Sequence, residues 1–143
     1  MIEDLHERRK RVLIIDDELA TVDYVTYFLG KANCTVSIAR GCKEGIAVAV
    51  DFRPDLVICD LKMPEIDGFA CARLIRAVPA LMTVPLVALT GMIVPGQEGK
   101  ARASGFDGYV EKPMNPWELV DRLKSFLRWA KSGALRHMTA DSL

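Results

Sequence analysis

Four places in the chain gather residue types that can handle a phosphoryl group. The stretch "VLIIDDE" (12–18) follows a run of apolar, strand-forming residues with three acids, Asp16, Asp17 and Glu18. "DLVICD" puts Asp60 at the end of a second apolar run, "PLVALT" ends on Thr90, and "DGYVEK" ends on Lys112. Asp16, Asp17 and Asp60, brought into one partly dry pocket, repel one another by several kcal/mol, so protons or a cation must enter. A hard dication with oxygen ligands fits best, and Mg²⁺ suits one or two carboxylates, water and a phosphate. Such a pocket can make a carboxylate a nucleophile toward phosphorus. Thr90 can donate its hydroxyl to a phosphoryl oxygen, and Lys112 offers a compact positive charge to the same group. Phosphoryl transfer asks for little more than an in-line nucleophile, a metal and charge neutralisation.

The elements that must position these residues follow from the apolar pattern. Segments 11–15, 34–39, 55–59, 84–89 and 107–110 are short, β-branched or apolar, and bounded by turn-forming or charged residues. Several run apolar without alternation, as strands buried on both faces do. Helical periodicity lies between them. Leu19, Val22, Val25 and Leu29 share one face, with Gly30 placed to close that helix. Residues 42–52 predict a second helix with Ile46, Ala47, Ala49 and Val50 inward, and Cys71, Leu74, Ile75 and Val78 mark a third. Segment 94–105 carries Pro95, Gly96 and Gly99, so a short or mobile helix is expected there. In "NPWE", Asn115 is the N-cap, Pro116 the first helical position and Glu118 the third; Leu119, Val120, Leu123, Phe126 and Leu127 form the stripe that follows.

Five repeats of strand then helix predict a flavodoxin-like α/β fold: a doubly wound five-stranded parallel sheet, order 2-1-3-4-5, with helices on both faces. Asp16, Asp60, Thr90 and Lys112 all fall at carboxyl ends of strands, the edge along which open α/β sheets bind ligands. The strand order reverses between strands one and three, which supply the aspartates.

The 143 residues bound this to one domain: an extension at 1–10, the folded unit at 11–130 and a tail at 131–143. Nineteen basic residues balance nineteen acidic ones, which argues against nucleic-acid binding through bulk electrostatics. The run Arg8, Arg9, Lys10, Arg11 reads as a solvated charge cluster. The charged N-terminus lacks the apolar segment of a signal peptide, and no apolar run is long enough to span a membrane, so a cytoplasmic protein is expected. Cys34, Cys42, Cys59 and Cys71 show no close pairing and read as small hydrophobes rather than metal ligands or disulfide partners. His6 and His137 are isolated, Trp117 is expected to pack at the start of the last helix, and Trp129 marks either a contact or a buried position.

The motifs "IIDDE", "DLVICDLKMPEIDG", "ALTG" and "GFDGYVEKP" together resemble the receiver domain of two-component response regulators, over residues 11 to about 130. The resemblance implies that Asp60 is the phosphoacceptor. It further implies that Asp17, Asp60 and the backbone carbonyl of Lys62 bind Mg²⁺, with Asp16 binding mainly through water. Thr90 and Lys112 would contact the phosphoryl group, Tyr109 would be an aromatic switch residue, and the Lys112–Pro113 peptide would be cis. The implied partners are a histidine kinase or histidine phosphotransfer protein and a downstream target on the face of helix four, strand five and helix five, with a homodimer as a further option. Lys62 and Met92, two residues after Asp60 and Thr90, fall where the family tunes the approach of hydrolytic water, which suggests slow self-dephosphorylation. The chain is then a signalling protein, not an enzyme acting on an outside substrate. A phosphatase of the haloacid dehalogenase type would need D-x-D after strand one, where this chain has the adjacent pair Asp16–Asp17. The other alternative is a receiver-like binding module that signals without phosphorylation, usually accompanied by loss of an acidic residue or the lysine; neither is lost here.

Overall fold

The computed structural model describes residues 9–112 and 115–132. Five strands form one parallel sheet: β1 (Lys10–Ile15), β2 (Cys34–Ala39), β3 (Leu56–Asp60), β4 (Leu86–Thr90) and β5 (Gly108–Glu111), in the order β2-β1-β3-β4-β5. The helices are α1 (Leu19–Lys31), α2 (Cys42–Phe52), α3 (Gly68–Ala77), α4 (Gln97–Ser104) and α5 (Pro116–Ser132), with a 3₁₀ turn at Pro79–Leu81 before β4. This is the expected doubly wound architecture. The carboxyl ends of β3, β4 and β5 each reach one residue further than the apolar runs, because pairing holds the polar residues too: Asp60 lies opposite Leu89, and Thr90 opposite Glu111.

Side chains alternate across a strand, so each central strand feeds two cores. Val12 and Ile14, Leu56 and Ile58, Val87 and Leu89 face α1 and α5, where Val22, Val25, Leu29, Leu119 and Leu123 cover them. Leu13 and Ile15, Val57 and Cys59, Leu86 and Ala88 face the other way, against Cys42 and Ala49 of α2 and Cys71, Ala72 and Ile75 of α3. Each fully buried Val, Leu or Ile side chain contributes about 1.5–3 kcal/mol. Both layers together hold the rim where the polar residues stand.

The helices keep their expected places with local differences. Leu19, Val50 and Leu74 are exposed, because each lies at the margin of its stripe. Ala47 is also exposed, while Gly45 is buried against Ile15, leaving no room for a Cβ. Gly30 does not end α1. The helix runs on to Lys31, and Asn33 in the left-handed region (φ 67°) follows the Ala32 cap. α4 has eight residues and buries only Ala101 and Ser104, as the glycine content suggested. At α5, the Asn115 side chain accepts from the Trp117 and Glu118 amides, at 2.9 and 3.4 Å, confirming the cap. Trp117 is 61% exposed rather than packed in, with its ring set edge-on to Phe28 within an aromatic row on α1.

The cysteines require a correction. Cys42 and Cys71 form a disulfide, 29 positions apart, that ties the start of α2 to α3 with Cα atoms 5.6 Å apart. No short-range spacing announces it, since two crossovers bring the helices together on one face of the sheet. Cys34 and Cys59 are free and buried, as expected of small hydrophobes. The extensions 1–8 and 133–143, with His6 and His137, the peptide between Lys112 and Pro113, and the side chains of Leu127 and Trp129 lie outside the described residues.

Candidate functional site

The strand ends bring together most of the polar residues singled out in the sequence. β1 delivers Asp16, which is 1% exposed, and β3 delivers Asp60, which is 6% exposed; Asp17 is exposed beside them. One carboxylate oxygen from each of the three lies within 4.8 Å of the others. Asp17 is not used as a helix cap, because the N-cap of α1 is Glu18. Asp16 Oδ1 accepts the Glu18 amide at 2.9 Å, and Asp60 Oδ1 accepts the Lys62 amide at 3.3 Å.

Lys112 leaves β5 and reaches into this cluster. Its Nζ lies 3.0 Å from Asp16 Oδ2, 3.2 Å from Glu18 Oε1 and 3.5 Å from Asp60 Oδ2. Glu18 was noticed in the sequence only as a third acid; here it braces the lysine and accepts from the Thr21 hydroxyl. Those two hydrogen bonds and the lysine charge hold the Glu18 carboxyl below its usual range. Burial alone would pull Lys112 down, but Asp16 and Asp60 outweigh it, so its ammonium is held more firmly than usual.

Asp60 behaves in the opposite way. Burial, then the charge of Asp16, push its carboxyl up to about 6, although Lys112 and the Lys62 amide favour the ionised form. One ammonium does not satisfy this cluster. Its donor set of hard carboxylate oxygens on a partly desolvated acid suits Mg²⁺, and Asp16, Asp17 and Asp60 are the side chains placed to hold it.

A local close approach fixes the loop after β3. Gly68 opens α3 directly against it: its amide donates to Leu61 O at 2.9 Å, and a Cβ there would lie 2.4 Å from the Asp60 carbonyl oxygen. Asp67 caps the helix by accepting the Ala70 amide at 2.9 Å. The glycine stands in the quoted "EIDG", yet its spelling does not reveal the contact.

Thr90 is buried, with its hydroxyl engaged away from Asp60. Oγ1 donates to Met92 O at 2.9 Å and accepts from Gln97 Nε2 at 3.0 Å. Tyr109 packs against the core on the α3 side of the sheet, and its buried hydroxyl has no partner among the described residues. Lys62 is exposed, and the Met92 side chain is 58% exposed at the rim. Cys59, beside Asp60, points into the opposite core; burial pushes its thiol far up, which makes it inert.

This sheet, with an acidic cluster and a lysine on its carboxyl edge, is the architecture of a phosphoacceptor domain in signalling proteins. The profile of the response regulator receiver domain matches residues 12–124, and the chain belongs to that family. It is 31% identical over 115 residues to an "Uncharacterized 14.6 kDa protein in sodA1 3'region" of Leptolyngbya boryana, covering 80% of this chain and 88% of that one. It is 34% identical over 118 residues to the DNA-binding dual master transcriptional regulator RpaA of Synechocystis, covering 82% of this chain but 49% of the relative. The phosphate regulon regulator PhoB of Pseudomonas aeruginosa is 32% identical over 119 residues, with 52% of its length covered. The chain thus spans about half the length of these two regulators. Among solved structures, Vibrio cholerae CheY4 superposes with a TM-score of 0.78 at 29% identity, over 82% of this chain and 98% of that one. A CheY-like receiver domain protein of Methanospirillum hungatei gives 0.79 at 26% identity, over 87% and 98%. Among the described residues no helix is long and apolar enough to cross a membrane.

Proposed function

We propose that this receiver domain takes a phosphoryl group onto Asp60 from a phosphohistidine of a histidine kinase or phosphotransfer protein. The observation that carries the reading is the Asp60 carboxylate itself. It is buried, raised in pKa, flanked by Asp16 and Asp17, and approached by Lys112 at 3.5 Å. An Asp60 carboxylate oxygen forms the new P–O bond as the N–P bond to the histidine breaks, and the histidine nitrogen leaves with the electron pair and takes a proton. Mg²⁺ held by Asp16, Asp17, Asp60 and the Lys62 carbonyl would supply charge neutralisation between the acids and the phosphoryl oxygens. Lys112 would pair with a phosphoryl oxygen, and Thr90 would turn its hydroxyl to another. Tyr109 then follows as the switch residue, changing the face of α4, β5 and α5 that a target or a second copy reads.

Residues 11–130 would form the functional unit, with 1–10 and 131–143 as flanking extensions, in a cytoplasmic setting. The balanced charge favours output through a protein contact rather than through nucleic acid. Met92 and Lys62 would slow hydrolysis of the acyl phosphate, and a half-life that shortens in Met92→Ala would support the steric part.

The test is an intact-mass spectrum after incubation with Mg²⁺ and acetyl phosphate, beside Asp60→Ala. One added phosphoryl unit, absent in the variant and in chelator, is expected. No adduct on folded, metal-loaded protein would favour a module that binds its partner without phosphorylation.

A further inference from the structure

The Thr90 hydroxyl has a partner that phosphoryl transfer does not require. Gln97, the first residue of α4, donates from Nε2 to Thr90 Oγ1 at 3.0 Å and reaches Met92 O at 3.4 Å. A threonine hydroxyl carries one proton. Here that proton is committed to Met92 O at 2.9 Å, while the oxygen also accepts the Met92 amide at 3.3 Å. The pairing of Asp60 with Leu89 places Thr90, the next residue of β4, on the alternate side of the sheet, toward α4. Before Thr90 can donate to a group on Asp60, its bond to Met92 must open. When the Thr90 side chain turns, Gln97 loses the nearer of its two acceptors and keeps only the long contact to Met92 O.

That loss falls on the first turn of α4, because the residues that anchor this helix to its neighbours, Ala101, Arg102 and Ser104, come later in it. α4 has eight residues and buries only Ala101 and Ser104. Its N-cap, Gly96, sits at φ 81° and makes no side-chain cap bond. The Gln97 amide is therefore a tie between the end of β4 and the start of α4, and its state depends on where Thr90 points.

We propose that Gln97 is a positioning residue that holds Thr90 in its resting orientation. It would restrain the acceptance of a phosphoryl group and free the first turn of α4 when Thr90 turns. This rests on the phosphoacceptor reading of Asp60. The restraint is a donation, so it should depend on the amide N–H rather than on the size of the side chain.

Trifluoroberyllate serves as the phosphoryl stand-in, with affinity measured in Mg²⁺ for the wild type and for Gln97→Met, alone and in a Thr90→Val background. Loss of one resting-state hydrogen bond is expected to tighten binding about two- to tenfold in Gln97→Met. The same change is expected to have no effect once Thr90 is valine. Gln97→Glu, which cannot donate when ionised, should behave as Gln97→Met. In metal-free protein, the Gln97 side-chain amide resonance should shift on Thr90→Val. Unchanged affinity in Gln97→Met overturns the proposal, as does an equal change in both backgrounds, which would mark an effect on α4 alone. A wild type that shows no binding sensitive to Asp60→Asn overturns the phosphoacceptor reading itself, whereas the metal-free resonance still reports on the tie between Gln97 and Thr90.

Discussion

Lys112 and Asp16 meet at 3.0 Å, although 96 positions separate them in the chain. The lysine arrives from β5, the edge strand at one side of the sheet, and the aspartate from β1, with β4 and β3 lying between them. Their contact closes the rim over β3 and sets the charge felt by Asp60.

Replacing that lysine should therefore act first on the acids. In Lys112→Met, Asp16 and Asp60 lose their ammonium, and metal-free stability should fall by about 1–3 kcal/mol at neutral pH. Urea unfolding with and without Mg²⁺ checks this: the cation should recover more stability in the variant than in the wild type. An equal Mg²⁺ increment in both proteins would count against a shared charge cluster.

Asp60 makes stability depend on pH in the direction opposite to an acid whose pKa is lowered by its partners, because burial outweighs its pairing with Lys112. Its folded carboxyl is pushed up to about 6, above the ordinary value near ~4 of an unfolded chain. The folded state thus holds the proton more tightly. The favourable contribution is full below the unfolded value and is lost as pH rises through about 6. Chemical denaturation of metal-free protein between pH 5 and pH 7.5 should show this loss, and Asp60→Asn should remove it. Mg²⁺ should stabilise the wild type more at the upper end of that range, where the cluster is ionised.

The Cys42–Cys71 bridge closes a loop of 29 residues around β3 and the loop that follows it. Its loss should cost about 2–4 kcal/mol, mainly by enlarging the unfolded ensemble. Urea midpoints with and without reductant measure this, and Cys42→Ala/Cys71→Ala should remove the sensitivity to reductant. Cys59→Ala should leave that sensitivity in place, because its thiol is free.

Gly68 cannot take a side chain without moving backbone, since its Cβ would meet the Asp60 carbonyl oxygen at 2.4 Å and Leu61 Cα at 2.6 Å. Gly68→Ala should destabilise by about 1–3 kcal/mol and weaken Mg²⁺ binding by shifting the loop that follows Asp60. Thermal melts and metal titration read the two effects separately. At Gly108 the crowding atoms are the ring tip of Phe126, a side chain that can turn, so Gly108→Ala should cost less.

Much of this protein is legible from its residues alone, because the relevant signals are local. Apolar strands alternating with amphipathic helices specify the sheet and its two layers. The placement of Asp16, Asp60, Thr90 and Lys112 at strand ends specifies the rim, and Asn115 specifies the start of α5. Those features depend on nearest neighbours in sequence, where turn chemistry and hydrophobic period act.

Tertiary structure alone decided the contacts that cross between elements. The disulfide needs α2 and α3 on one face, and the clash at Gly68 needs the start of α3 against the end of β3. The hold on Thr90 needs Gln97 to fold back over β4, and the brace on Lys112 needs Glu18 to lean across from the start of α1. None has a spacing that marks it, because its partners are set by sheet order and packing rather than by periodicity. The sequence places the acidic residues at strand ends; how deeply each is buried, and with it the rise in the pKa of Asp60, depends on how much of the fold stands over it.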